Sequence, residues 1–175
     1  VQQLQPSIIP LTQHHNARVR SKAVAVLGEL PNLPAEVVLE KALHDADARV
    51  RANAIEVLEE KRNTDFIPML AERARSNHNR ERANAIKALH KMKVGAAKGA
   101  LLGMLRDERG EHRISALWAL RAIGLWDLLQ EVGRIAREDA NLRVRRYAIG
   151  VIRTLAELVE SHRTGGQSPS TAKAG

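Results

Sequence analysis

The 175-residue sequence contains no cysteine. That excludes disulfides, thiolate catalysis and Cys-ligated metals, and is compatible with a cytoplasmic protein. Aromatic residues make up only 2% of a chain that is 44% apolar. The core must therefore be built from Ala, Leu, Ile and Val, which favours closely packed helices over a sandwich or barrel. No apolar run approaches the roughly 20 residues that span a bilayer. The stretch from Val1 to Asn16 has no Asp, Glu, Lys or Arg but is rich in Gln and Pro, so it reads as neither a signal peptide nor a membrane helix. A first residue other than Met fits a piece of a longer protein. Glycine and proline are sparse and spaced like punctuation.

Charge is the feature in excess. The formal net charge is +8, which favours an acidic partner such as nucleic acid, an acidic protein or an anionic membrane surface. The excess is spread along the chain, as on a solvated helical surface.

The chain repeats. An Arg followed three residues later by Ala occurs at Arg20/Ala23, Arg51/Ala54, Arg82/Ala85, Arg113/Ala116 and Arg145/Ala148, at intervals of 31, 31, 31 and 32 residues. One residue after each Ala stands Val24, Ile55, Ile86, Leu117 or Ile149; four after it stands Leu27, Leu58, Leu89, Leu120 or Ile152. These offsets mark one face of a helix, called helix B of each repeat. The neighbouring offsets are mostly polar and are expected to point outward. Fifteen residues before the Ala, and four further on, a second stripe marks helix A: Ile8/Thr12, Leu39/Leu43, Leu70/Ala74, Leu101/Leu105 and, after a one-residue insertion, Val132/Ala136. Pro31 and Pro34 separate the first two repeats. Asp65 reads as an N-cap, with Pro68 in the first turn. Gly95, Gly99 and Gly103 are expected to allow close helix contact, and Trp126 to fill a repeat junction. The fold class is thus an all-α solenoid of five helix hairpins, at about 4–30, 34–62, 65–93, 95–124 and 126–160, followed by a disordered tail over 161–175.

The segments Asp47-Ala48-Arg49-Val50-Arg51-Ala52-Asn53-Ala54-Ile55 and Asn141-Leu142-Arg143-Val144-Arg145-Arg146-Tyr147-Ala148-Ile149 resemble the start of the second helix of HEAT-like repeats, in the short bacterial type described as phycobilisome-lyase HEAT-like. The resemblance covers about residues 4–160. Repeats one, two and five match best, with Val19, Val50 and Val144 before the Arg; Glu81 and His112 depart from the pattern. The resemblance implies that Arg20, Arg51, Arg82, Arg113 and Arg145 form a structural ladder, each pairing with an acid in its own A–B turn. Asp45, Asp107 and Asp139 lie six residues before their Arg; His14 and Ser76 stand there in repeats one and three. A basic stripe for phosphates is the other reading of the ladder.

Such repeats specify fold well and function poorly, since lyases, hydroxylases, glycosylases and inert scaffolds share them. The resemblance places the exposed side of the B helices on the concave surface. The candidate partner-binding residues there are Lys22, Asn53, Asn84, Lys87, Trp118, Arg121, Tyr147 and Arg153, combining Trp, Tyr and Arg as interaction hot spots do. Packing of Trp118 on its own repeat is the competing reading. No catalytic set, metal site or cofactor is expected. The seven histidines are scattered, and neither a His-Glu-x-x-His helix nor a Gly-rich phosphate loop is present. The expected function is a non-catalytic protein–protein interaction module of a larger bacterial protein. The alternatives are nucleic-acid binding through the basic surface and, behind it, a HEAT-like lyase or glycosylase.

Overall fold

A computed structural model describes residues 5–30 and 35–165. The chain forms two compact units, one through Ile123 and one from Gly124. The first unit holds α1 (Gln5–Ile8), a 3-10 turn (Ile9–Gln13), α2 (Ala17–Glu29), α3 (Ala35–Leu43), α4 (Ala48–Lys61), α5 (Ile67–Arg73), α6 (Asn79–Lys91), α7 (Ala96–Leu105) and α8 (Gly110–Ile123). The second holds α9 (Leu129–Glu138) and α10 (Leu142–Gly165). No strand occurs among the described residues. The fold is the expected all-α solenoid of stacked helix pairs. Helices α2, α4, α6, α8 and α10 are the B helices. Pro31 and Pro34 lie outside the described residues, as does the side chain of Trp126.

Local chemistry sets the helix ends. Asn16 caps α2 by accepting the Arg18 N–H, and Asp47 caps α4 by accepting that of Arg49. Near α5 the capping residue is Asn63, which accepts the Asp65 N–H at 3.0 Å. Asp65 is therefore inside the turn it was expected to cap; the amide two residues earlier reaches the free N–H first. Pro68 does sit in the first turn of α5. Pro10 stands in the 3-10 turn that replaces most of helix A in repeat one. Helix α10 continues through Gly165, so the segment expected to be a disordered tail is helical at its start. Residues 166–175 lie outside the described residues.

After α4, α6 and α8 the chain enters left-handed backbone at Arg62 (φ 50°), Lys93 (φ 61°) and Gly124 (φ 74°), one 31-residue period apart. Only Gly124 takes this conformation without a Cβ penalty.

The repeat columns form the core. Ala54, Ala85, Ala116, Ile55, Ile86 and Leu117 are wholly buried, and within the first unit each B helix packs along the next. In repeat five the pattern loosens: Ala148 is buried, but Ile149 is 49% exposed and Ile152 half-buried. Gly99 and Gly103 have open space where a Cβ would be, as does Gly95, so they make no close helix approach. That role falls to Gly28, where an added Cβ would overlap Cγ2 of Val57 and lie 3.2 Å from its Cγ1.

In the first three repeats the ladder Arg side chains bind carboxylates, but these come from a different repeat than expected. Arg51 donates through Nη1 to the carbonyls of Asp45 (2.6 Å) and Ala46 (3.0 Å) in its own turn. Its Nε and Nη2 clasp the Glu81 carboxylate of the next repeat, each at 2.8 Å. Arg20 likewise holds the His14 and His15 carbonyls and clasps Asp45 of repeat two with two bonds of 2.8 Å. Arg82 reaches Asp107 of repeat four at 2.9 Å. Arg113 and Arg145 also bind carbonyls of their own turns, at residues 107 and 108 and at residues 139 and 140. Each guanidinium in the first three repeats is thus a staple across a repeat junction. The bidentate clasp of Arg20 and Arg51 suits Arg and would be lost with Lys.

Candidate functional site

The B-helix layer of the first unit carries most of the residues selected from sequence, and several of them are already engaged. The Asn53 amide donates to the carbonyl and hydroxyl of Ser21 at 2.8 and 2.9 Å. Asn84 is wholly buried and donates to the Ala52 carbonyl and to Glu56 Oε1. Both amides are engaged with the preceding B helix; Asn84 is closed off from solvent, while Asn53 is half-buried. Glu59, also expected to point outward, is 4% exposed. Two ammonium groups permit this burial: Lys87 Nζ at 2.9 Å and Lys91 Nζ at 2.5 Å.

Lys87 connects this cluster to Trp118. Its Nζ lies 5.0 Å from the centre of the indole ring, within cation–π range. Trp118 is half-buried on α8, with Arg121 exposed one turn further along. On this surface α4 supplies the carboxylate, α6 the lysine and α8 the ring. Of the remaining candidates, Lys22 is exposed on α2 at the amino-terminal end of the stack. Tyr147 is half-buried and Arg153 exposed on α10 in the second unit. The structure therefore brings Lys87 to Trp118 and links both to Glu59 and Lys91, with Arg121 on the same helix as the ring, while Asn84 is buried in the B–B junction. Sequence spacing gave one usable hint of the additions, since Lys87 and Lys91 are an i, i+4 pair on one helix face.

A second ionic cluster lies at the A–B turns. Glu81 is wholly buried among Arg51, Ser76 Oγ at 2.8 Å and Arg73 at 3.6 Å. Burial pushes its pKa up, but hydrogen bonds from Arg51 and Ser76 and the charges of Arg51 and Arg73 outweigh this and hold it below the usual carboxylate range. Asp107 is held low by hydrogen bonds from Arg109. His112 sits in the same column as Glu81, 4% exposed, with Nδ1 at 3.8 Å from Asp107. Burial lowers its pKa, aided by Arg109 and Arg82, against the pull of Asp107. These groups brace repeat junctions. Among the described residues no group of three or more His, Asp or Glu is placed to hold a metal ion.

The geometry is that of a tandem helical repeat with conserved spacing and a stapled junction. A family model for HEAT repeats matches residues 35–120. Residues 35–120 are HEAT repeats. A chain in the complex of CpcE and CpcF of phycocyanin lyase from Nostoc sp. PCC7120 superposes with a TM-score of 0.57 at 24% identity, covering 86% of this chain and 64% of that one. An engineered protein superposes with a TM-score of 0.52 at 16% identity, covering 86% of this chain and 78% of that one. At these identities the likeness is one of fold. The chain spans about 64% of the length of the lyase-complex chain it resembles. No curated protein matches the sequence. No helix among the described residues is long and apolar enough to cross a membrane.

Proposed function

We propose that this HEAT-repeat chain is a non-catalytic protein-binding module that receives its partner on the concave B-helix face, with Trp118 and Arg121 as anchors. The supporting observation is the Glu59–Lys87–Trp118 chain of contacts. The lysine is fixed by a buried carboxylate and in turn steadies the ring. The half-buried indole is ordered before any partner arrives, so little side-chain entropy is left to lose on binding. Solenoid repeats supply the rigid extended surface on which such an anchor is useful. Glu59, already held by two lysines, is a poor general base or nucleophile, which weighs against a lyase or glycosylase reading.

The test is affinity capture followed by remeasurement with the purified binding protein. Trp118→Ala with Arg121→Ala should weaken the complex at least about tenfold, as loss of a hot spot does, and leave the far-UV circular dichroism intact. Undiminished binding by that double variant would refute the site. Capture of nucleic acid instead, with affinity falling steeply as salt rises, would refute the protein-partner reading.

A further inference from the structure

The amino-terminal face of repeat one is built like an internal repeat junction but has nothing stacked on it among the described residues. In repeats two to four the residue three after the reference Ala is buried against the preceding B helix: Val57 is 4% exposed, and Ala88 and Ala119 are wholly buried. Its counterpart in repeat one, Val26, is 38% exposed. Four residues before the Ala, Val50, Glu81 and His112 are buried, while Val19 is only half so. With Ile8 and the 41%-exposed Leu11, these side chains line an apolar groove of about 490 Å³ rimmed by Arg18 and Lys22.

We propose that this groove docks an acidic amphipathic helix of a partner protein. The shape follows from continuity with the stack, because the same columns of α4 and α6 each receive a helix. The charge follows from the rim. In repeat three the column of Arg18 holds Arg80, which reaches Glu56 of the preceding helix at 3.4 Å. The column of Lys22 holds Asn53 and Asn84, which reach acceptors on the preceding helix. Arg18 and Lys22 are exposed and have no ion-pair partner among the described residues, and no carboxylate lines the groove. A docked helix that places Glu or Asp beside an Ala/Leu stripe supplies what both cations lack.

Two other occupants fit poorly. A further repeat with the same staple would bring an Arg needing the carboxylate that Asp45, Glu81 or Asp107 provides inside the stack. Repeat one has His14 and Val19 in those columns. A second copy that docked its α10 here would bring the exposed Arg146 and Arg153 against Arg18 and Lys22 with like charge.

The experiment uses the full chain and a labelled, side-chain-stapled helical peptide with an Ala/Leu stripe flanked by Glu, alongside a twin carrying Lys for Glu. Fluorescence anisotropy should show the Glu peptide binding at least about tenfold more tightly than its twin. Arg18→Glu with Lys22→Glu should reverse that preference, and Val26→Asp should abolish binding of either peptide. The double variant changes only exposed side chains, so it serves as the test if Val26→Asp fails to fold. Equal binding of the two peptides, or Glu-peptide binding that survives the double charge reversal, overturns the proposal. So does a self-associated chain that Val26→Asp converts to monomer by sedimentation, because the groove would then be filled by a second copy.

Discussion

Replacing Glu81 by Val brings repeat three into line with repeats one, two and five, which carry Val19, Val50 and Val144 in that column. A repeat-consensus argument predicts stabilisation. The structure predicts the opposite. Glu81 is wholly buried and Arg51 is 8% exposed, so the change leaves a guanidinium in the junction with only the Asp45 and Ala46 carbonyls as acceptors. Removing one partner of a buried pair costs about 3–5 kcal/mol. The two carbonyl bonds that Arg51 keeps put this case near the lower end, at about 3 kcal/mol. At this chain length that corresponds to a fall in Tm of roughly 6–12 °C. Urea titration followed by circular dichroism gives the free energy directly. Arg51→Met combined with Glu81→Val should recover most of the loss, since an apolar pair can replace a buried ion pair at little net cost. The single-variant penalty should persist in about 0.5 M salt, because buried charges are weakly screened. The depressed pKa of Glu81 adds a pH signature. Its contribution is complete above the reference value of 4.5 and is lost as pH falls through the lower folded-state value. The double variant should lack that acid-limb loss. A single variant as stable as the parent, or a double variant no better than the single, would refute the argument.

Three further outcomes follow from local geometry. Gly28→Ala should destabilise by about 1–3 kcal/mol through overlap with Val57 and be rescued in part by Val57→Ala, whereas Gly99→Ala, facing open space, should stabilise by about 0.5–1 kcal/mol in a thermal melt. Arg62→Gly should stabilise by about 1 kcal/mol in urea titration, because it relieves a left-handed backbone that Gly124 adopts freely. His112 has a folded-state pKa below its reference 6.5, so stability should be level above that pH and decline as pH falls below it; His112→Leu should flatten this limb, and an unchanged slope would remove His112 as its source.

The repeat register was legible because Arg, Ala and two aliphatic columns recur together, and a tandem stack imposes one environment on each column. The direction of the Arg pairing was not. Asp45 lies 25 residues after Arg20 and six before Arg51. In a periodic chain one acid column has the same relation to two different Arg residues, and only coordinates choose between them. Asn84 was misplaced for a related reason. A polar residue beside an apolar stripe reads as outward-facing, yet here its amide satisfies the Ala52 carbonyl and Glu56 across a B–B junction. Trp118 was found by the opposite signal, a break in its column. What periodicity could not show is that Lys87 stands over its ring.

The staple has a consequence for how such a chain gains or loses length. Within the stapled stretch, the Arg and the acid of one repeat serve opposite neighbours and never each other. Excising one whole period containing both Asp45 and Arg51 would leave Arg20 facing the repeat that carries Glu81. One cation and one anion depart together, and the ends that meet are already matched. Duplication works the same way, because each new copy arrives with an acceptor for the copy before it and a donor for the copy after. Copy number can therefore drift by whole units without stranding a buried charge, which a repeat satisfied within itself would also allow, but without any bond to hold the new neighbours in register.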